Sequence, residues 1–108
     1  MMVNPYLLDS NKIVNDMEVK VRLFARLREI AGSREVSVEI KPGFTVADVI
    51  EKLSDRFGEE FRRYLEENLK EERLYLVLNG AGLDRAKASS INVKDGDILA
   101  IIPPIGGG

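Results

Sequence analysis

The sequence predicts an α+β protein, in which a mixed sheet of four to five strands is crossed by one main helix and accompanied by a second, shorter helix. Three features point to this class. Apolar and charged residues alternate at 18–23 and 36–41, amphipathic stretches follow at 46–57 and 59–70, and nearly continuous apolar runs lie at 74–78 and 98–102. Strands towards both ends with helices between them are typical of an α+β domain.

The two alternating segments predict half-buried strands. From Glu18 to Leu23, and again from Val36 to Lys41, every second residue is apolar. Period two with one apolar face is typical of a strand that packs on one side. The connection between them holds a semi-helical stretch, 25–30, which is too short to be the crossing helix of a ferredoxin-like fold. Pro42-Gly43 ends the second strand.

The main helix is predicted to begin after Thr45 and to end at Gly58. Thr45 and Asp48 have the spacing of a capping box, and apolar residues recur at helical spacing between them and the glycine. Glycine is a frequent residue just past a helix end. A second, charge-rich helix is predicted over 59–70. Side chains four positions apart are expected to pair on these helices: Asp48 with Lys52, Glu59 with Arg63, and Glu66 with Lys70.

The last two strands are predicted at 74–78 and 98–102. Both are almost continuously apolar, which favours central strands buried on both faces. Asn79-Gly80 is a favoured tight-turn pair, and 81–93 is predicted to be irregular. The first and last strands can pair in parallel at the centre, with the main helix across one face. This architecture is the β-grasp, or ubiquitin-like, fold.

Length and composition limit the possible functions. The 108 residues predict one domain, with a flexible extension at 1–16, a β-grasp domain at 17–102 and a flexible tail at 103–108; Met17 is a candidate for the natural start. The net charge of −2 does not indicate a basic surface that binds nucleic acid. The chain has no cysteine and no histidine, so it lacks disulfides, thiolate metal ligands and the commonest general base. We expect no catalytic residue, no metal site and no bound cofactor.

No segment approaches the ~20 apolar residues of a membrane span. No secretory signal is visible in the first residues. A cytoplasmic protein without a membrane partner is therefore expected.

The final segment, Pro103 to Gly108, has the sequence PPIGGG. Glycine has no Cβ, so such a tail can enter a narrow enzyme channel and place its carboxylate against a nucleotide phosphate. The two prolines hold the preceding residues extended and away from the fold. The tail is therefore a chemical handle on a compact domain.

Several stretches resemble the small subunit of molybdopterin synthase. VRLFARLREIAG at 21–32 is similar to the opening of that family, and TVADVI at 45–50 to its helix start. Asn79-Gly80 matches its strand-to-turn position. Gly96-Asp97, an apolar strand and Pro-Pro-x-x-Gly-Gly match its ending. The resemblance covers residues 17–108.

The resemblance implies a chemistry shared by these subunits, by thiamin sulfur carriers and by ubiquitin-like modifiers. An activating enzyme of the E1 type uses ATP to adenylate the carboxylate of the last glycine, and a sulfur donor displaces AMP to leave a thiocarboxylate. In molybdopterin synthase the tail enters the catalytic large subunit, which builds the dithiolene that holds molybdenum or tungsten. The residues carried over are Gly108 as the modified residue, Gly107 and Gly106 for clearance, and Pro103, Pro104 and Ile105 for reach and docking.

The chain departs from the family pattern in two places. Gly106 stands where a small residue such as alanine or serine is usual, and this blurs the choice between subfamilies. The segment between Gly58 and Leu74 is longer than in short bacterial carriers. Archaeal modifier-like relatives tend to have this segment, so protein conjugation remains an alternative role.

The docking surface for the activating enzyme and the large subunit is expected on the sheet face opposite the helix. The candidates there are Leu76, Leu78 and Ile102. The aromatic residues are expected mainly to pack in the core or at its edge: Phe24, Phe44, Phe57, Phe61 and Tyr75. The charges of Arg22, Arg26 and Arg28 are expected to be solvated, the alternative being that they pair with an acidic groove on a partner.

Three functions remain open on the sequence alone. The first is a sulfur carrier, for molybdopterin or instead for thiamin or tRNA thiolation. The second is a ubiquitin-like modifier that forms isopeptide bonds with lysines through Gly108. The third is a binding domain that makes no use of its tail, because a fold alone does not decide function.

Overall fold

The computed structural model describes residues 17–103, so the extension predicted at 1–16 and the tail residues 104–108 lie outside the described residues. The described range contains five strands, three α-helices and one 3-10 helix. In chain order they are β1 (Glu18–Leu23), α1 (Ala25–Ala31), β2 (Glu35–Glu39), α2 (Val46–Phe57), α3 (Glu59–Lys70), β3 (Tyr75–Leu78), β4 (Ala81–Leu83), the 3-10 helix (Arg85–Lys87) and β5 (Ile98–Ile102).

The strands form one mixed sheet in the order β2-β1-β5-β3-β4. β1 and β5 are parallel, with Val21 opposite Leu99 and Leu23 opposite Ile101. The other neighbouring pairs are antiparallel. The predicted β-grasp fold is confirmed, with the first and last strands paired in parallel and β5 at the centre of the sheet.

The core lies between one face of this sheet and the helices. Alternate residues of β1 and β5 are fully buried there, and Leu27 of α1 and Phe61 of α3 are 0% exposed. α2 contributes Val46, Val49 and Leu53, all 0% exposed. Burying such side chains stabilises the fold by about 1.5–3 kcal/mol each. This apolar layer holds β5 and the start of the tail in place.

The ends of α2 follow the predicted signals. The Asp48 amide donates to the Thr45 hydroxyl at 3.3 Å, and the Thr45 amide donates to the Asp48 carboxylate at 2.8 Å. These two bonds form the predicted capping box, which satisfies amide groups that the helix itself leaves unpaired. Gly58 ends α2 with its amide bonded to Ser54, and α3 follows at once with the predicted bounds.

Three expectations about the elements were wrong. β3 is not buried on both faces, because Tyr75 is 45% exposed. The segment 81–93 is not irregular throughout, since it holds β4 and the 3-10 helix. The second helix is not the shorter one, because α2 and α3 both have 12 residues, and the stretch at 25–31 forms a further helix of 7 residues.

The predicted ion pairs on the helices do not form among the described residues. Lys52 donates instead to the carbonyl of Glu39 at 3.4 Å. Glu59 and Glu66 both lie 3.9 Å from Arg62. Arg62 sits where α3 faces α2, so its guanidinium attracts carboxylates from both helices rather than from one helix face.

Candidate functional site

The sheet face that turns away from the helices has an apolar region on β3 and β5. Leu76 on β3, and Leu99 and Ile101 on β5, are buried against the helices. Because successive side chains of a strand point to opposite faces, the residues next to them lie on the other side. We call this region the open face; it consists of Tyr75, Val77, Ile98, Ala100 and Ile102.

The side chains of the open face form cross-strand pairs. Tyr75 is opposite Ile102 and Val77 is opposite Ala100. Neighbouring pairs of this kind make a continuous surface rather than isolated apolar positions. Contiguous exposed apolar surface is typical of a protein–protein interface.

The structure corrects one of the three predicted docking residues. Leu76 is 1% exposed and belongs to the core, so it is wrong as a surface residue. Leu78 shares the face of Leu76 and packs against the core but is only partly buried, so its docking role stays a prediction. Ile102 does lie on the open face, and its docking role stays a prediction. Val77 and Ala100 were not identified from the sequence as docking residues, and Tyr75 was expected to pack in the core or at its edge.

The tail starts at the edge of the open face. Ile102 is the last residue of β5, and Pro103, the one described residue of the predicted tail, is half-buried beside it. The other five predicted tail residues, 104–108, lie outside the described residues. Five extended residues span at most about 18 Å, so any partner that receives the end of the tail must come close to the open face.

A basic concavity lies at the same end of the sheet. Its volume is about 420 Å³, and its lining includes Arg22, Phe24, Arg28 and Arg34. One carboxylate, that of Glu35, is present and lies 3.9 Å from Arg22. Arg28 and Arg34 form no ion pair within the described range 17–103. The concavity therefore favours an acidic surface on whatever covers it.

Arg26 is not available for such a contact. Its guanidinium donates to Glu29 at 3.2 Å and to Glu60 at 2.6 Å. The bond to Glu60 joins α1 to α3, whereas the bond to Glu29 lies within α1. The Arg26 side chain is 49% exposed, so its charge stays in contact with solvent, as expected, while it forms these pairs.

Two polar residues fix the start of β5, and only an indirect signal in the sequence pointed to them. The Asn79 side chain accepts from the Ile98 amide at 2.8 Å and donates to Asp97 at 3.0 Å. Asp97, 7% exposed, also accepts from the Lys94 amide at 2.7 Å. These hydrogen bonds join the turn after β3 to the turn before β5, and they set the position of β5. The signal in the sequence was an acidic residue directly before an apolar strand.

The described residues offer no other obvious chemistry. Within 17–103, no three acidic side chains come together closely enough to hold a metal ion. No helix of this range has the length and apolar character to cross a membrane.

A family model described as the ThiS family matches residues 21–108. The chain belongs to the ThiS family. The match covers the β-grasp domain from within β1 to the last glycine, and it includes the tail residues that the structure does not describe. The resemblance noted on the sequence motifs is thereby confirmed.

ThiS-family relatives carry two kinds of name. The molybdopterin synthase sulfur carrier subunit of Arabidopsis thaliana is 34% identical over 94 residues, 87% of this chain and 86% of the relative. Small archaeal modifier protein 3 of Haloferax volcanii is 26% identical over 92 residues, 85% of this chain and 100% of the relative. The chain is thus related both to sulfur carriers and to small modifiers.

A solved structure of this family supports the fold. The solution structure of small archaeal modifier protein 1 from Methanosarcina acetivorans superposes with a TM-score of 0.61 at 29% identity. The match covers 85% of this chain and 97% of the chain of that modifier. The β-grasp domain of this ThiS-family chain is therefore shared with a protein named as a modifier.

Proposed function

We propose that this ThiS-family protein is a sulfur carrier, the small subunit of a molybdopterin synthase, and that its reactive group is the carboxylate of Gly108. One observation carries the proposal: the family match continues through the glycine tail to residue 108. Similarity to sulfur carrier subunits over most of both chains supports it. The chain itself supplies a handle and a docking surface, and partner enzymes supply the catalysis.

The proposed reaction explains why the chain needs no histidine or cysteine. A carboxylate oxygen of Gly108 attacks the α-phosphorus of ATP on an E1-type enzyme, and pyrophosphate leaves. The acyl adenylate is a good acyl donor because AMP is a far better leaving group than oxide. Hydrosulfide released by the donor then attacks the acyl carbon and AMP leaves, so the terminus becomes a thiocarboxylate after loss of a proton.

The open face and the basic concavity indicate what kind of surface a docking partner must present. Both the activating enzyme and the large subunit must receive the tail, so each is expected to cover the surface around Pro103. An apolar patch that meets Tyr75 and Val77, with carboxylates opposite Arg28 and Arg34, fits the exposure and charge of this end of the sheet. Arginine pairing of this kind mainly raises the rate and specificity of association.

Mass spectrometry of the intact chain tests the carrier function. The purified protein is incubated with ATP, the E1-type enzyme of the same organism and a sulfur donor. We expect a gain of about 16 Da, since sulfur replaces one oxygen in this covalent modification. A variant that lacks Gly107 and Gly108 serves as the control and should not change in mass. An unchanged mass of the full chain would contradict the proposal.

The identity of the sulfur acceptor needs a second measurement. The thiocarboxylated chain is mixed with the large subunit and the pterin precursor, and the formation of a dithiolene is followed. Transfer to a thiazole precursor or to tRNA, with none to the pterin, would move the function to a different sulfur carrier.

Protein conjugation is the second candidate function. The whole of small archaeal modifier protein 3 matches this chain, and a modifier shares its fold. The same activated Gly108 would then form an isopeptide bond with a lysine amine. Lysines of other proteins in the native cell that carry the segment 95–108 after trypsin digestion would favour this role, because Lys94 is the last basic residue of the chain. Their absence together with the mass gain would favour the carrier.

A further inference from the structure

We propose that Asn79 is a site of spontaneous covalent modification, at which the side-chain amide is lost by deamidation while the turn between β3 and β4 is open. This modification goes beyond the proposed function, because it involves neither the tail nor sulfur. Asn79 is exposed, and no other asparagine of the chain is followed by a glycine. The same side chain bonds the start of β5, so its chemical change has a structural consequence.

The reaction at an asparagine–glycine pair is an attack of the following backbone nitrogen on the side-chain carbonyl carbon. The Gly80 nitrogen bonds to Cγ of Asn79, its proton goes to the departing amide, and ammonia leaves a cyclic succinimide behind. Water then opens the ring at one of its two carbonyls and gives either aspartate or isoaspartate. Asparagine is a thermolabile residue, and glycine has no Cβ that hinders the approach of its nitrogen.

The closed turn directs the reacting side chain away from Gly80. The Asn79 side chain accepts a hydrogen bond from the Ile98 amide at 2.8 Å and donates one to Asp97 at 3.0 Å. Both partners lie on the β5 side of β3, whereas the backbone continues through Gly80 to β4 on the other side. The reaction therefore waits until the Asn79 amide leaves these two hydrogen bonds.

The attacking group is not restrained in the same way. Gly80 is exposed, and its amide donates to no acceptor in the part of the chain that the structure describes. Asp97, in contrast, is 7% exposed and is itself fixed by the Lys94 amide at 2.7 Å. The two side-chain hydrogen bonds of Asn79 are therefore what protects the pair.

Either product weakens the contact between the turn and β5. An aspartate at position 79 has no amide to donate, so its carboxylate faces that of Asp97 where a hydrogen bond of 3.0 Å stood before. Two negative charges this close repel each other strongly when one of them is buried. Isoaspartate adds one atom to the main chain of a two-residue turn, whose length is set by the pairing of Leu78 with Ala81. A chain that has reacted once therefore keeps a weakened start of β5.

Mass spectrometry of tryptic peptides tests the site on the full chain. The purified protein is incubated for weeks in mildly alkaline buffer and compared with a sample that was not incubated. The peptide 74–85, released by cleavage after Arg73 and Arg85, is followed for a gain of about 1 Da, since the amide becomes a carboxylic acid. The reference is the free peptide acetyl-Val-Leu-Asn-Gly-Ala-Gly-amide, which has the sequence of residues 77–82.

We expect both molecules to react at the asparagine, and the full chain at least about tenfold more slowly, since two hydrogen bonds must break first. Asp97→Ala removes the acceptor of the Asn79 amide and should bring the rate closer to that of the free peptide. Asp95→Ala is the matched control, because Asp95 lies in the same turn but accepts from the Glu18 amide; it should react as slowly as the wild type. If Asp97→Ala does not fold, the wild type and the free peptide still decide the point.

Amide exchange measures the effect of the product. In Asn79→Asp the Ile98 amide should exchange about tenfold faster than in the wild type, the size expected when a hydrogen bond to a charged group is lost. Asn92→Asp is the control, because it makes the same chemical change at an exposed asparagine away from β5 and should leave this exchange unchanged.

Three results would each overturn the inference. The first is a full chain that gains no mass at residue 79 over weeks, or that reacts there as fast as the free peptide. The second is modification of Asn92 at the same rate as Asn79, because the glycine and the turn would then be irrelevant. The third is an unchanged exchange rate of the Ile98 amide in Asn79→Asp.

Discussion

Asn79 combines a backbone requirement with a side-chain role. Its φ is +51° and that of Gly80 is +86°, the pair of positive values that a type I′ hairpin turn needs. Asparagine tolerates this region better than other residues with a Cβ. Its side-chain amide also bonds Ile98 and Asp97. One residue thus closes the β3–β4 hairpin and fixes the start of β5.

Asn79→Ala should destabilise the fold by about 2–3 kcal/mol, because it loses two hydrogen bonds and strains a positive φ. Asn79→Gly removes the same bonds without the strain and should lose about 1 kcal/mol less. Urea unfolding of both variants measures the free energies. Equal stability of Asn79→Ala and the wild type would contradict the role assigned to this residue.

The run Leu74 to Leu78 illustrates what the residues alone could not decide. All five are apolar or aromatic, so no period-two pattern marks the face that is buried. Leu76 is buried and Tyr75 exposed because β3 pairs with β5 in a register that puts Leu76 beside Ile101. That register depends on the Asn79 turn and on the helices above, neither of which is encoded within the run.

The edge strand β2 is protected by three side chains. The Leu23 amide donates to the Arg34 carbonyl, and the Ile40 amide donates to the Met17 carbonyl. The backbone N–H and C=O groups of the even-numbered residues of β2 therefore point towards β1. The outward carbonyls belong to residues 35, 37 and 39. They accept, in that order, from Ser33 at 2.8 Å, Arg56 at 2.9 Å and Lys52 at 3.4 Å.

We predict that Lys52→Ala combined with Arg56→Ala increases self-association through β2. Uncapped carbonyls on an edge strand are a template for pairing with another chain. Sedimentation over a range of protein concentrations measures the effect. The control is Lys41→Ala with Arg63→Ala, which removes the same charge from exposed positions. If both double variants associate equally, net charge rather than the edge explains the change.

The contact between α2 and α3 includes the side chain of Arg62. Its guanidinium donates to Glu51 at 2.8 Å and to Asp55 at 2.9 Å, both on α2. The hydrogen bond with Glu51 and the attraction of the neighbouring carboxylates raise the pKa of Arg62. The side chain therefore keeps its charge at any pH at which the protein is studied.

Arg62→Met should lower the thermal midpoint by a few degrees at low salt and by less at high salt. The pairs are exposed, and the screening length falls from about 30 Å at 0.01 M to about 3 Å at 1 M. Thermal melts at these two ionic strengths measure the difference. A loss that is the same at both would mean that packing, not charge, holds α3 on α2.

Element prediction succeeded where the signal was local. The capping pair before α2 and the turn pair Asn79-Gly80 act over a few residues, and both formed as expected. β4 was missed because Ala81-Gly82-Leu83 has little strand propensity; it is a strand because the tight turn brings it back along β3. The pairs predicted for Glu59 and Glu66 do not form because both carboxylates lie near Arg62, which also bonds carboxylates of α2.

At the scale of the whole molecule, the proposed function implies that a change at Gly108 can abolish the reaction without changing the stability of the fold. Gly108→Ala should leave the circular dichroism spectrum and thermal midpoint unchanged. It should reduce thiocarboxylation at least about a hundredfold, since a clash of about 3 kcal/mol in a channel fitted to bare backbone has that effect. Gly106→Ala is the matched control, because a small residue is usual there in the family, and it should stay active. Normal modification of Gly108→Ala would refute the steric argument.

The strand order was predictable because the first and last strands were recognisable and one long helix lay between them. The residues that make up the open face were not, since their exposure depends on the register between β3 and β5.

The parallel pairing of β1 and β5 has a mechanical consequence. The polypeptide enters the sheet at one end through β1 and leaves at the opposite end through β5. Traction on the terminus therefore loads the inter-strand bonds in shear, all at once, instead of peeling them off one by one as at a hairpin. A protein threaded by its last residues into an enzyme tunnel can thus be pulled hard without unravelling.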